Sequence, residues 1–317
     1  MTDRFIIGTR GSDLALWQAE HIRTNLAAIF PEHEFQIKII HTTGDQIVDI
    51  ALSKIGDKGL FTRQIENELL EGSIDLAVHS LKDLQTRQPE GLEIGAVCRR
   101  ERPNDVFFSR SGGTIDDLPA GATVATGSLR RRSQLLNYRP DLKVVEIRGN
   151  VPTRLRKFDE SELDGMVLAF AGIHRLGFEE RISQIVPFEI LLPAVGQGAV
   201  AVETREGDER VRGVVEKLDD RETRICITAE RAFLRSLEGG CQVPIGALAA
   251  LEGDEVTLTG FVGSLDGRVA FRESAAGSAG DAEALGVSLA DAMIRRGARE
   301  LLDASRIEAE AASDATM

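Results

Sequence analysis

The sequence predicts a mixed α/β protein in which two α/β lobes face a cleft and a small α+β domain follows. Three observations lead to this prediction. Two successive segments have the order strand, turn, helix, strand, which is typical of βαβ units. A proline- and glycine-rich stretch at 191–200 (LLPAVGQGAV) then indicates a crossover back to the first lobe. Beyond residue 244, three stretches of alternating polarity predict an antiparallel sheet that one helix covers.

The composition predicts a globular protein of two or three domains. The chain has 317 residues, 42% of them hydrophobic and 28% charged, with no apolar run long enough to span a bilayer. Its first residues, MTDRFIIGTR, lack the features of a signal peptide. Its three cysteines are widely spaced, which argues against a disulfide framework and a zinc site. Its net charge is −13, which argues against non-specific nucleic-acid binding. We therefore expect a cytoplasmic protein that binds no metal, nucleic acid or membrane.

The first predicted βαβ unit places polar residues at the start of a helix. A strand is predicted over 4–9, a helix after Ser12 as its N-cap, and a second strand over 34–40. The free N–H groups at such a helix start can hold a carboxylate, and Arg10 lies in the same turn. The following segment, 42–59, contains three glycines together with Lys54 and Lys58, and it is typical of a functional lid. Its aspartates lack the spacing of a calcium loop.

A buried strand predicted over 74–78 runs directly into the sequence HSLKD, which ends at Asp83. Ligands in open α/β sheets bind beyond the carboxyl ends of strands, so Lys82 and Asp83 are well placed for chemistry. An aspartate that only forms a turn is the alternative for Asp83. For His79 we favour a packed strand histidine, because the neighbouring sequence offers no partner for a catalytic triad.

The second lobe carries a cluster of arginines on an otherwise acidic chain. A strand over 122–126 leads to Ser128 and to a helix over 129–138 that begins with Arg130, Arg131 and Arg132, and a later strand over 144–147 ends at Arg148. Guanidinium groups bind carboxylates through two hydrogen bonds, so this cluster indicates a site for a small, multiply charged anion. The alternative is a solvated helix face, which is what most runs of charge are.

The stretch LEGGCQVPIG at 237–246 places Cys241 on a loop after a predicted helix over 222–237. Two glycines and a proline shape this loop, where a thiol can meet a reaction partner. An isolated cysteine is often buried and inert, and the stretch alone favours that interpretation. The other motifs of the chain, described below, favour a reactive Cys241 over a buried, inert one.

The predicted domain boundaries follow from this order of elements. They are 1–98 with 199–217 for the first lobe, 104–192 for the second lobe, 221–307 for the C-terminal α+β domain with the cysteine, and 308–317 for a disordered tail.

The chain resembles the porphobilinogen deaminase (hydroxymethylbilane synthase) family from about residue 8 to residue 302. The resemblance is based on separated motifs in the family's order: TRGSDLALWQ, KGLF, VHSLKD, GSLRR, RGNVPTRL, LPAVGQGA and EGGCQVPIG. It implies two periplasmic-binding-protein-like lobes beside a cleft. It also implies an enzyme that deaminates porphobilinogen and condenses the units head to tail, as a growing linear pyrrole chain, on a dipyrromethane cofactor, and finally releases hydroxymethylbilane.

The resemblance also assigns roles to individual residues. It implies that Cys241 carries the dipyrromethane cofactor through a thioether and that Asp83 is the catalytic carboxylate. By motif position it implies that Lys82, Ser128, Arg130 and Arg131 bind the cofactor, that Arg10, Ser12, Arg148, Arg154, Arg175 and Gln197 bind substrate, and that Lys54 and Lys58 lie in an active-site loop. Arg132 matches no family role and is expected to be a surface charge.

The sequence departs from the family pattern at two places. Gly127 replaces a hydroxyl residue before the Leu-Arg-Arg run, and Leu84-Gln85 replaces the usual Val-Pro or Leu-Pro after Lys-Asp.

A two-lobed polycarboxylate-binding protein or sensor domain without catalysis is the alternative function. A cysteine hydrolase is disfavoured, because the sequence offers no convincing Cys/His pair. We expect a monomer.

Overall fold

A computed structural model describes residues 3–42, 62–238 and 243–314, with side chains to residue 307. The described residues form two compact units. The first contains 3–42, 62–101 and 198–224, and the second contains 102–197, 225–238 and 243–314. None of the helices in these ranges combines the length and apolarity that a membrane-spanning segment needs.

The described strands are β1 (Arg4–Thr9), β2 (Glu34–Ile39), β3 (Leu76–Ser80), β4 (Leu92–Val97), β5 (Asp105–Ser109), β6 (Thr123–Ala125), β7 (Lys143–Val145), β8 (Gly165–Ala169), β9 (Gln184–Ile185), β10 (Val200–Arg205), β11 (Ile245–Glu252), β12 (Glu255–Gly263) and β13 (Ala270–Ser278). The described α-helices are α1 (Asp13–Ile29), α2 (Arg63–Leu70), α3 (Leu129–Tyr138), α4 (Val151–Asp159), α5 (Phe170–Arg175), α6 (Glu209–Val215), α7 (Arg221–Ser236), α8 (Ala282–Arg295) and α9 (Ala298–Asp314).

The first unit is a five-stranded sheet in the order β2-β1-β3-β10-β4. Strands β1, β2 and β3 are parallel, and β10 runs antiparallel to both of its neighbours. Helix α1 begins where the sequence predicts, because Ser12 Oγ accepts a hydrogen bond from the Ala15 amide at 3.4 Å. Its apolar face packs on one side of the sheet and α2 packs on the other.

The second unit contains a five-stranded sheet with the equivalent order, β7-β6-β8-β5-β9. Strands β7, β6 and β8 are parallel, and β5 runs antiparallel to β8 and β9. Ser128 caps α3 and Asn150 caps α4, where Pro152 occupies the first turn. The sequence analysis assigned no strand to the residues of β5.

The C-terminal part of the second unit is a three-stranded antiparallel sheet, β11-β12-β13, with helices packed on it. Phe233 of α7 is completely buried at the centre of this core. Gly286 of α8 lies so close to α7 that an added Cβ would overlap the carbonyl oxygen of Ala229. This part therefore folds around a tight contact between α7 and α8.

The predicted fold class is confirmed as two α/β sheets with their helices and a small α+β part with a three-stranded antiparallel sheet. Two details of the prediction are wrong. Strand β3 covers Leu76–Ser80, whereas the prediction was 74–78. Residues 308–314, predicted to be a disordered tail, continue helix α9, whose end is rich in alanine and glutamate and therefore favours helix.

Candidate active site

The candidate catalytic carboxylate lies on a short turn at the carboxyl end of β3. Residues Leu81–Asp83 form a single 3₁₀ turn directly after the strand. Leu81 and Leu84 are buried at 1% and 5% exposure, and the Leu81 amide donates to the carbonyl oxygen of Ala199 at 3.0 Å. Asp83 is exposed between these two anchors. The turn therefore fixes the backbone of Asp83 and leaves its carboxylate accessible to a ligand.

Arg10, Ser12 and Lys82 lie at the same end of the first sheet. Strands β1 and β3 are parallel neighbours, with Ile7 paired to Leu76, so their carboxyl ends coincide. Arg10 and Lys82 follow these two strands, and both side chains are partly buried. Ser12 uses its hydroxyl oxygen to cap α1. This end of the sheet is where open α/β folds place their ligands.

A buried polar cluster lies beside β3 in the same unit. His79 Nε2 is 3.2 Å from Glu203 Oε2, and Gln88 Nε2 donates to Glu203 Oε1 at 3.0 Å. Burial raises the pKa of Glu66 on α2, and the charge of Glu203 adds to this shift, although a hydrogen bond with Thr62 opposes it. The prediction of His79 as a packed strand histidine is confirmed, since the residue is 5% exposed.

The second unit brings three of the predicted site residues together on one aspartate, Asp105. Arg130 Nη1 donates to Asp105 Oδ2 at 2.7 Å. Arg131 donates to Asp105 Oδ1 from Nε at 3.0 Å and from Nη2 at 2.8 Å. Gln197 Nε2 donates to the same Oδ1 at 2.9 Å and to the carbonyl oxygen of Pro103 at 2.7 Å. The alternative of a solvated helix face is therefore wrong for Arg130 and Arg131.

Burial and charge oppose each other in this cluster. Asp105 is completely buried, and Arg130 and Arg131 are 4% and 5% exposed. Burial alone would raise the pKa of Asp105, but the two guanidinium groups outweigh it and hold that pKa well below its usual range. Burial lowers the pKa of Arg130, and the charge of Asp105 partly offsets that effect. The cluster therefore keeps an ionised carboxylate between two cations.

Arg130 has donor capacity that the described residues do not use. Its Nη1 donates to Asp105 and to the carbonyl oxygen of Leu192, at 2.7 and 2.6 Å. Its Nε is buried and has no hydrogen-bond partner among the described residues. A buried unpartnered donor is costly, so its presence indicates a ligand. A guanidinium nitrogen of this kind suits a ligand carboxylate.

Four other predicted residues lie at the carboxyl ends of the parallel strands of the second unit, or on a helix that starts there. Ser128 follows β6 and its hydroxyl oxygen accepts from the Arg131 amide at 3.5 Å. Arg148 follows β7 and donates from Nε to Glu146 Oε1 at 2.6 Å. Arg154 lies in the first turns of α4, and Arg175 ends α5, which follows β8. The topology thus gathers these polar groups at one end of one sheet.

Arg132 is exposed, as predicted. Its guanidinium donates to the carbonyl oxygens of Leu265 and Val144 at 3.3 and 3.5 Å. Three predicted residues, Lys54, Lys58 and Cys241, lie outside the described residues. Within the described ranges, no group of acidic residues, histidines and cysteines is arranged to hold a metal ion.

Asp105 and Glu230 are residues that the sequence analysis missed. Glu230 of α7 is completely buried and accepts hydrogen bonds from the amides of Gly196 and Ala249, each at 2.9 Å. It thereby ties the segment that contains Gln197 to strand β11. A signal for Asp105 was available, because the apolar run Val-Phe-Phe directly after it is typical of a buried strand.

Comparison with known proteins identifies the family. The family described as "Porphobilinogen deaminase, dipyromethane cofactor binding domain" matches residues 5–213, and "Porphobilinogen deaminase, C-terminal domain" matches residues 224–295. A porphobilinogen deaminase from Pelotomaculum thermopropionicum is 52% identical over 308 residues, which cover 97% of this chain and 99% of the relative. One from Carboxydothermus hydrogenoformans is 48% identical and covers 98% of this chain and 99% of the relative.

Solved structures show a weaker likeness. A probable amino-acid ABC transporter extracellular-binding protein from Bacillus subtilis covers 69% of this chain and 90% of its own, with 10% identity and a TM-score of 0.41. The two family matches and the near-complete, roughly 50% identical relatives favour the enzyme over the binding-protein alternative. The chain belongs to the porphobilinogen deaminase (hydroxymethylbilane synthase) family of transferases.

Proposed function

We propose that this enzyme grows a linear pyrrole chain from a primer on Cys241, with Asp83 as its catalytic carboxylate. The observation that carries the proposal is the placement of Asp83 within the VHSLKD motif. Its carboxylate is exposed at the carboxyl end of β3, on a turn that two buried leucines anchor. A fixed, accessible carboxylate at this position is suited to contact the reacting pyrrole.

Asp83 would act on the substrate in two ways. Its carboxylate accepts a hydrogen bond from the pyrrole N–H and stabilises the positive charge that develops as ammonia leaves. It can also take up a proton that the pyrrole releases and, as the acid so formed, pass that proton to the leaving amine. When bound, the dipyrromethane cofactor supplies the pyrrole carbon to which the first substrate unit is joined.

The basic residues would bind the carboxylates of the pyrrole chain. We assign Arg130 to the cofactor because its buried Nε lacks a partner among the described residues. Lys82, Ser128 and Arg131 are assigned with it by motif. Substrate binding is assigned to Arg10, Ser12, Arg148, Arg154, Arg175 and Gln197, and Lys54 and Lys58 are assigned to the active-site loop. Planar guanidinium groups suit carboxylates because they offer paired donors.

The wider biological assignments are also proposals. We propose three domains, with residues 221–307 as the one that carries Cys241, and a monomeric cytoplasmic enzyme that acts on porphobilinogen without nucleic acid or membrane. The net charge of −13 supports the absence of a nucleic-acid partner.

The test is the turnover of Asp83→Asn, which keeps the side-chain shape but removes its charge and proton transfer. We expect hydroxymethylbilane formation to fall by about 10²–10⁴-fold, the usual contribution of general acid–base catalysis. Glu90→Gln is the matched control, because Glu90 is an exposed carboxylate seven residues further along the chain, and it should retain normal turnover. Near-normal turnover of Asp83→Asn would remove Asp83 from the mechanism.

A further inference from the structure

Asp105 is the common acceptor for three residues that the proposed function places in the binding site. Its two oxygens accept hydrogen bonds from Arg130, from two nitrogens of Arg131 and from Gln197. Its backbone is fixed as well, since Asp105 begins β5 and pairs with Ala169 of β8. Its carbonyl oxygen accepts from the amide of Val186 at 2.9 Å.

The hydrogen bonds divide the two arginines into different roles. Arg131 presents Nε and Nη2 to Asp105, and its Nη1 donates to the carbonyl oxygen of Val167 at 3.3 Å. The paired-donor edge of Arg131 is therefore occupied. Arg130 reaches Asp105 through Nη1, and its buried Nε is left without a hydrogen-bond partner among the described residues. The contacts with Asp105 thus engage Nε of Arg131 but leave Nε of Arg130 unpartnered.

The charges within the cluster support the same division. Two guanidinium groups and one carboxylate leave a net charge of one positive unit at a buried site. A single ligand carboxylate would neutralise that charge. Without Asp105, two cations would face each other in the protein interior, and their mutual repulsion would separate them.

We propose that Asp105 is a positioning residue for the reaction: it holds Arg131 and Gln197 in place and directs the free edge of Arg130 at one carboxylate of the pyrrole chain. This inference rests on the proposed function of Arg130 and Arg131. Asp105 itself contacts no reacting atom, and it acts through the arginines.

The proposal is tested with Asp105→Asn and Asp105→Ala in the full-length holoenzyme. Three properties are measured: the covalent adduct by intact-protein mass, KM and kcat for porphobilinogen, and the response to added sodium formate. We expect Asp105→Asn to raise KM by about 10- to 100-fold, the range expected when a charged hydrogen-bonding partner is lost. Formate can occupy the space left in Asp105→Ala, so it should lower the KM of that variant, whereas it should not lower the KM of the wild type.

Asp219→Asn is the matched control for a purely structural effect. Asp219 also binds an arginine and an amide, accepting from Arg224 Nε at 2.8 Å and from the Val97 amide at 2.7 Å, but it lies in the first unit. This variant should lose thermal stability and keep its KM. The adduct gives a second readout. The proposal is equally supported if Asp105→Asn loses the adduct while Asp219→Asn keeps it, and if formate restores the adduct in Asp105→Ala.

A folded Asp105→Asn with wild-type adduct and KM would overturn the inference, as would a KM defect in Asp105→Ala that formate leaves unchanged. If the alanine variant does not fold, Asp105→Glu decides: it keeps the charge, so its KM should lie closer to the wild type than that of Asp105→Asn, and the reverse order would overturn the inference. Failure of the proposed function is distinct, because the wild type itself would then form no adduct and turn over no porphobilinogen.

Discussion

Replacing Glu230 with glutamine should loosen the attachment of the Gln197 segment to the C-terminal sheet. The Glu230 carboxylate accepts from two buried amides, with Oε2 facing Gly196 and Oε1 facing Ala249, each at 2.9 Å. Glutamine has one acceptor oxygen, and its NH₂ group would face the other amide. One of the two backbone N–H groups therefore loses its acceptor in the variant.

The expected increase in amide exchange follows from the loss of one acceptor at a buried N–H group. A buried donor without its acceptor costs about 1–3 kcal/mol. Since about 1.4 kcal/mol corresponds to a factor of ten in an equilibrium constant, the amide that loses its acceptor should exchange with solvent deuterium roughly 5 to 150 times faster. Glu230→Leu removes both acceptors, so both amides should show the increase.

The assay is hydrogen–deuterium exchange followed by mass spectrometry on peptides that contain Gly196 or Ala249. Glu222→Gln is the control, because Glu222 is an exposed glutamate on the same helix, α7, and should leave both peptides unchanged. If exchange in both peptides of Glu230→Gln and Glu230→Leu matched the wild type, the carboxylate would not hold these amides and the reasoning would be refuted.

Two stability predictions concern other parts of the fold. Gly286→Ala should lower Tm, because the new Cβ overlaps the carbonyl oxygen of Ala229 and overpacking costs about 1–3 kcal/mol. Gly213→Ala in α6, where nothing lies within 4 Å of the added Cβ, should instead stabilise by up to about 1 kcal/mol, and equal effects in differential scanning fluorimetry would contradict the packing argument. Burial raises the pKa of Glu66 above its unfolded value, so its ionised form destabilises the fold as pH rises through the folded pKa. Glu66→Gln should therefore have a higher Tm than the wild type at pH 8, and the difference between the two Tm values should become smaller towards pH 5. A Tm difference that does not depend on pH would contradict this explanation.

Local rules predict the helix starts well. Ser12 caps α1 as expected from its side-chain oxygen, and Pro152 occupies the first turn of α4, where its missing N–H has no cost. Strand β3 shows the limit of local rules. Its carboxyl end is set by pairing between Ser80 and Val200, which are 120 residues apart, so the apolar run from residue 74 predicts the strand but not its register.

The arginine cluster shows why the site was only partly predictable. The residue types and their spacing indicate an anion site, but the burial of Arg130 and Arg131 depends on a partner 25 and 26 residues earlier. That partner, Asp105, begins a strand that the sequence analysis did not assign. This tertiary contact decides which guanidinium donors remain for a ligand. It cannot be predicted from the periodicity of a helix or a strand, which shows only which residues share a face.

The most direct test of the account is the mass of the purified, denatured protein. We expect the polypeptide mass plus a two-pyrrole adduct in the wild type, and the polypeptide mass alone in Cys241→Ser. A wild type that weighs no more than its polypeptide, both as purified and after incubation with porphobilinogen, would contradict the claim that the chain is primed on Cys241.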